Sequence, residues 1–211
     1  MQLAKILFTV FLLNVMKIEN NYSPTFEAKF INAAKIKKRV SNTSSYIDKA
    51  VSMVEIDVHN NKDIDALENI ANYWQGQNGF FTTNIYYAAC EMKDNNKYFK
   101  YNKIFALTKQ MSDYDNLDCN QILGVVHVSS LNSKNLFIEH IQVNPQIIYS
   151  FPAKYKKIGS ELLNLLKSLS DRIICFPSNT DAVKNFYLKN GFIEIPPRSN
   201  CFIYQKTNVK L

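Results

Sequence analysis

A chain of 211 residues with 46% hydrophobic content, 14 Phe and 12 Tyr has ample material for a packed core, which excludes an intrinsically disordered segment. Its net charge of +7 suits a polyanionic partner, and coenzyme A, nucleic acid or an anionic membrane would all serve. Only three arginines accompany the lysines, and with no nucleic-acid motif present this argues against base reading or phosphate forks, hence against a nucleic-acid partner.

The first segment, Met1 to Met16, carries a short apolar run at 6–15 after a single lysine. That run is short for a bilayer span and has the length of a signal-peptide core, yet no small-residue cleavage pattern follows it. Three readings stay open: translation starting at Met16, an export signal or membrane anchor, and a packed element. Membrane attachment is therefore expected only through residues 6–15, and the chain is otherwise expected in the cytoplasm. Residues 26–40 mix strand and helix signals, and 41–45 (SNTSS) form a turn. Residues 1–45 are read as an extension, and 46–211 as one domain.

Tyr46 to Val58 alternates as a strand, with which the extension can pair as a hairpin. Asn60 or Asn61 can cap a helix running to Ala71, with Ile64, Leu67, Ile70 and Ala71 on one face. Trp74 ends it, Gly76 and Gly79 mark a loop, and Thr83 to Met92 forms a second helix. Ile104–Thr108 and Ile122–Leu131 read as strands around an acidic loop, and Asn132–Asn135 turns the second into another hairpin. No internal repeat or low-complexity segment is present.

Leu136 to Val143 alternates, placing Leu136, Ile138, His140 and Gln142 on one side and Phe137, Glu139, Ile141 and Val143 on the other. Pro145 cannot donate to a ladder and ends the strand. After a basic loop, Ile158, Leu162, Leu165, Leu166 and Leu169 recur at helical spacing. Gly159 and Ser160 open that helix, and Lys154, Lys156 and Lys157 crowd the same turn. Free amides and the helix dipole favour an anion there, so this is a candidate pyrophosphate cradle; a solvated lysine face is the plainer alternative.

Arg172 to Phe176 is a short buried strand closed by Pro177. A helix over 178–192 follows, with Ala182, Val183, Phe186 and Tyr187 inward and Asn190-Gly191 as its stop. Residues 192–196 return as a strand. The cysteines, Cys90, Cys119, Cys175 and Cys201, show no C-x-x-C, and His59, His127 and His140 add no motif, so no metal site is expected. Buried free thiols in a reducing compartment are expected, with Cys175 a core residue rather than a nucleophile.

Two of these stretches together resemble the GNAT superfamily of acyl-CoA-dependent N-acetyltransferases. Val143-Asn144-Pro145 is similar to the end of its cofactor strand. Residues 154–159 (KYKKIG) resemble its Gln/Arg-x-x-Gly-x-Gly/Ala loop, with Lys154 in place of Gln or Arg and Lys157 in place of the first Gly. Asn179, Ala182 and the run FYLKNGF at 186–192 resemble its second motif more closely. The likeness covers roughly 122–206 and extends back toward residue 50. It implies an α+β fold, an α/β sandwich with a mixed, mostly antiparallel sheet of about seven strands and about four helices. Its fourth and fifth strands, here 136–143 and 172–176, would splay apart.

The same resemblance implies acetyl-CoA as co-substrate and a primary amine, of a small molecule or a protein, as acceptor. Backbone groups of Ile141, Gln142 and Val143 would pair with the pantetheine arm, and Lys154, Lys156, Lys157, Ile158, Gly159 and Ser160 would surround the pyrophosphate. Asn179 would contact the arm, Tyr187 would be the general acid, and Glu139 the general base. The helices near 61–92 would wall the acceptor, with Trp74, Phe80, Phe81, Tyr86 and Tyr87 lining a pocket or simply filling the core. A non-catalytic acyl-CoA-binding or interaction module on the same fold is the alternative. The sequence leaves the acceptor and the oligomeric state open.

Overall fold

The computed structural model describes residues 29–77, 79–94, 102–132, 135–178, 180–195 and 200–206. The apolar run at 6–15 and Asn179 lie outside the described residues. Among the described residues no helix is long and apolar enough to cross a membrane, and no group of His, Cys, Asp and Glu is placed to hold a metal ion.

Among the described residues the chain builds one nine-stranded sheet. Strands β1 (Lys29–Arg39) and β2 (Tyr46–Glu55) form an antiparallel hairpin about the 41–45 turn. Helices α1 (Asn61–Gln75) and α2 (Phe80–Asp94) follow, then β3 (Lys103–Thr108), β4 (Ile122–Asn132) and β5 (Asn135–Val143). A one-turn helix α3 (Pro145–Ile148) and a two-residue strand β6 (Tyr155–Lys156) lead into α4 (Ile158–Leu169). Strand β7 (Arg172–Cys175), helix α5 (Asp181–Lys189), β8 (Ile193–Glu194) and β9 (Phe202–Gln205) complete the described elements. The spatial order is β6-β1-β2-β3-β4-β5-β7-β9-β8, antiparallel except where β5 meets β7. The α+β class and mostly antiparallel sheet are as expected. The strand count exceeds seven because β1 adds a strand before β2 and β6 pairs on its outer edge at Lys37 and Lys38.

Alternation along the central strands feeds a core on each face of the sheet. Val51 and Met53 of β2, Phe105 and Leu107 of β3 and Val126 of β4 join Ile158, Leu162, Leu163, Leu165 and Leu166 of α4 in one cluster. Each such side chain, fully buried, contributes about 1.5–3 kcal/mol. Val54, Ile104, Ala106 and Val125 join Ile64, Leu67, Ile70 and Trp74 of α1 in the other. Helix α1 starts at Asn60, whose side chain accepts from the Lys62 amide at 3.0 Å. It continues a turn beyond Ala71 because Trp74 repeats the buried face and is 1% exposed. Trp74 is thus core, and Gly79 packs under it so closely that a Cβ there would lie 2.6 Å from the Trp74 Cβ.

Four sequence expectations change. A bulge lets His127 pair with His140 but Val128 with Ile138, so Glu139 is the extra residue and the parity of β5 flips across it. Ile138, Ile141 and Val143 therefore pack toward one core, while His140 lies on the opposite face. Ala182 is exposed on α5, and Leu169, in the last turn of α4, is 43% exposed. The returning strand is only Ile193–Glu194.

Candidate functional site

Strands β5 and β7 run side by side only from Asn135↔Arg172 to Ile138↔Cys175. Beyond that pair β7 ends, while β5 continues to Val143, held on its other side by β4 through Gly124↔Val143. Among the described residues no strand covers the β7-side edge of Glu139–Val143, so the two strands part as the resemblance implied. An uncovered edge offers alternating N–H and C=O groups to an extended ligand.

At the open end of this edge stands the first turn of α4. Lys157 is its N-cap in the left-handed region, φ 71°, and no side chain caps the turn. The amides of Ile158, Gly159 and Ser160 are then the groups a helix start leaves for an outside acceptor. The left-handed backbone also explains why a glycine would suit position 157. Gly124 brings α4 close to the sheet, since a Cβ there would meet Ile158 Cγ2 at 3.0 Å. A Cβ on Gly159 would lie 3.7 Å from Val143 Cγ2 and 3.0 Å from Phe186 Cζ, so the turn, the strand end and the Phe186 ring converge.

Of the expected cradle residues, Ile141, Val143, Ile158, Gly159 and Ser160 come together around the strand end. Gln142 is buried, with its Nε2 donating to the Val143 carbonyl at 2.8 Å. The Lys154 and Lys157 side chains are exposed, the Lys154 ammonium 5.8 Å from the centroid of the Tyr155 ring. Lys156 points elsewhere, its ammonium 3.9 Å from the centroid of the Tyr46 ring.

Tyr187 is 3% exposed, its ring edge-on to Phe186 and Phe192 and tilted on Phe202. Its hydroxyl lies beside the Cys175 sulfur, at the residue where β7 stops, and the Cys175 thiol itself donates to the Phe202 carbonyl at 3.8 Å. Burial pushes the phenol well above its ordinary range and the Cys175 thiol up to about 12, which suits a core thiol. Cys201 is likewise buried, whereas Cys90 and Cys119 are half-buried; all four thiols are free. Glu139 is exposed on the bulge and accepts from the Ser129 hydroxyl.

On the other face of the sheet lies a pair of imidazoles that no sequence motif announces. His127 and His140 are direct cross-strand partners, their rings 6.1 Å apart and 10° from parallel. Helix α2 covers them: Phe81 packs 5.8 Å from the His140 ring, and Asn84 Nδ2 lies 3.2 Å from His140 Nε2. Burial, then the neighbouring His140, holds His127 down to about 4, and burial lowers His140 as well. Only the register of β4 on β5 reveals this pair, because the residues are thirteen apart in sequence with a hairpin between them. Of the expected aromatic lining, Phe81 is 48% and Tyr87 59% exposed, while Tyr86 packs on the α1 core. A separate surface cavity of about 270 Å³, lined by Lys62, Asp65, Asn69 and Asn116 among others, lies away from the strand opening.

No known family model and no curated protein matches this sequence. Among solved structures, the chain is similar to one from Desulfovibrio desulfuricans assigned to the GNAT family of acetyltransferases, at 14% identity over 74% of this chain and 99% of that one, TM-score 0.49. It is also similar to an acetyltransferase of the GNAT family from Staphylococcus aureus Mu50, at 15% identity over 74% and 99%, TM-score 0.46. A third is the Campylobacter jejuni N-acetyltransferase PseH, at 14% identity over 74% and 99%, TM-score 0.45.

Proposed function

We propose that this chain is an acetyl-CoA-dependent N-acetyltransferase of the GNAT type, moving an acetyl group to a primary amine. The observation that carries the reading is the uncovered β5 edge beyond Ile138↔Cys175, ending at the uncapped first turn of α4. The diphosphate of the co-substrate would rest on the amides of Ile158, Gly159 and Ser160, with the helix dipole and the exposed Lys154 and Lys157 opposing its charge. The amides of the pantetheine arm would add to the β5 edge over Glu139–Val143 as an extra strand does. The motif likeness at 143–145, 154–159 and 186–192 supports the same assignment.

The chemistry is attack of a neutral amine on the thioester carbonyl, with a thiolate leaving, and positioning of the two reactants supplies much of the rate. Tyr187 stands at the parting of the strands with a phenol held protonated through neutral pH. It can therefore only give a hydrogen bond or a proton, and a departing sulfur would be the group to receive it. One observation favours a second reading, a binding module without turnover: Tyr187 is almost fully buried.

Calorimetric titration with acetyl-CoA, followed by labelled acetyl-CoA and a panel of primary amines, tests both readings. Saturable binding with label transferred to an amine supports the enzyme. Binding with no transfer to any amine supports the module, and no binding overturns both.

A further inference from the structure

His127 is 7% exposed and neither of its ring nitrogens has a hydrogen-bond partner, nor has Nδ1 of His140. Buried polar atoms almost always find partners, so three unpaired imidazole nitrogens at one point of a sheet mark a place that receives a polar group. The place is specific. His140 follows the Glu139 bulge directly, where β5 loses its β7 neighbour, and it lies on the face opposite α4. A ligand arm laid along the open edge would thus have the phosphate turn on one side of the sheet and this pair on the other. The α2 side chains that reach His140, Phe81 and Asn84, are uncharged; the titratable groups facing it are His127 across the ladder and Glu139 beside it.

Resting on the acetyltransferase reading above, we infer that His140, backed by His127, is the base that takes the proton from the acceptor amine, in the role the sequence suggested for Glu139. The ammonium of the acceptor gives one N–H proton to the His140 imidazole. The freed lone pair forms the C–N bond to the acetyl carbon, and the C–S bond breaks with its electron pair going to sulfur. The Tyr187 hydroxyl gives its proton to that sulfur and is restored by the second proton leaving the nitrogen, so the products are the amide, the free thiol and one proton that passes from the imidazole to solvent. Glu139 is turned outward on the bulge and already held by Ser129.

The test compares H140Q and E139Q in the full chain, with n-butylamine, spermidine and a lysine-bearing peptide as probe amines. H140Q is expected to lose about 100-fold in kcat/KM and the acid limb of its pH profile, while acetyl-CoA affinity measured by calorimetry stays within about twofold of wild type. Spectra of ¹⁵N-histidine-labelled protein supply a second readout: H140Q should raise the midpoint of His127, because the neighbouring positive charge is gone. Loss of turnover in E139Q with H140Q still active overturns the inference and leaves the acetyltransferase reading standing. An unmoved acid limb in H140Q does the same. Binding of acetyl-CoA with no amine acetylated overturns this inference together with the transferase step, and absence of acetyl-CoA binding overturns the whole reading.

Discussion

The ring of Phe186 stands on Gly159: a Cβ built on that glycine would come within 3.0 Å of Phe186 Cζ and 3.1 Å of Cε2. The missing side chain is what allows α5, α4 and the end of β5 to meet. Gly159→Ala is expected to cost about 1–3 kcal/mol by overpacking and to weaken acetyl-CoA binding about tenfold, since the displaced ring must move into the strand opening. Phe186→Leu in the same chain should restore both. Thermal melts and calorimetry check this, and a G159A protein unchanged in both would refute it.

Lys157 holds φ 71° with no side-chain cap. The left-handed conformation costs a non-glycine residue about 1–2 kcal/mol, while glycine at such a site adds about 0.4–1 kcal/mol of unfolded-state entropy. The first effect is larger, so Lys157→Gly should raise Tm by about 1–4 °C. A lower Tm would mean that the lysine side chain contributes more than its backbone loses.

Two buried groups give opposite pH dependences. His127 is held at about 4 by burial, below its ordinary 6.5. Across that interval the unfolded chain binds more protons, so this group makes stability fall as pH drops from 6.5 to 4. Asp63 is fully buried and raised by burial to about 7 from 3.8, with the nearby Asp57 and Asp115 charges adding to it. There the folded chain binds more protons, and stability falls as pH rises from 3.8 to 7. Asp63→Asn keeps an oxygen for the Asp57 amide, which donates to Asp63 Oδ2 at 2.9 Å. It should stabilise the protein at pH 8 by on the order of 2–4 kcal/mol and by little at pH 4. Denaturant melts at the two pH values measure this, and equal gains at both would exclude carboxylate ionisation as the cause.

Tyr187→Phe keeps the ring contacts with Phe192 and Phe202 and removes only the hydroxyl beside Cys175. Stability should change by less than about 1.5 kcal/mol. Turnover should fall about 10- to 100-fold with acetyl-CoA affinity nearly intact. Thiol-release kinetics on a probe amine decide it: an unchanged kcat removes the phenol from the mechanism.

Most of the fold was legible because its elements announce themselves locally. Asn60 as a cap, the leucine spacing of α4 and the Asn190-Gly191 stop, with Gly191 at φ 77°, are short-range signals. The nonlocal features were not. Strict alternation placed His140 beside Ile138, and one bulged residue put it on the other face, against His127. The burial of Tyr187 likewise depends on Phe202 arriving from β9, which helical spacing around position 187 does not encode. The loop at 154–159 was read as three equal cations, yet the Tyr46 ring, more than a hundred residues earlier, claims Lys156.

Strand β6 meets β1 only at Lys37 and Lys38, so along residues 29–36 the outer rim of the sheet is met by no strand among the described residues. Bare rims of this kind recruit strands from neighbouring molecules and seed fibrils. Here Lys35 lies on the bare stretch, with Lys37 and Lys38 beside it where β6 pairs, and the opposite end of the sheet is a strand of two residues. Mutual repulsion at one border and brevity at the other would keep copies of this protein apart in a crowded solution.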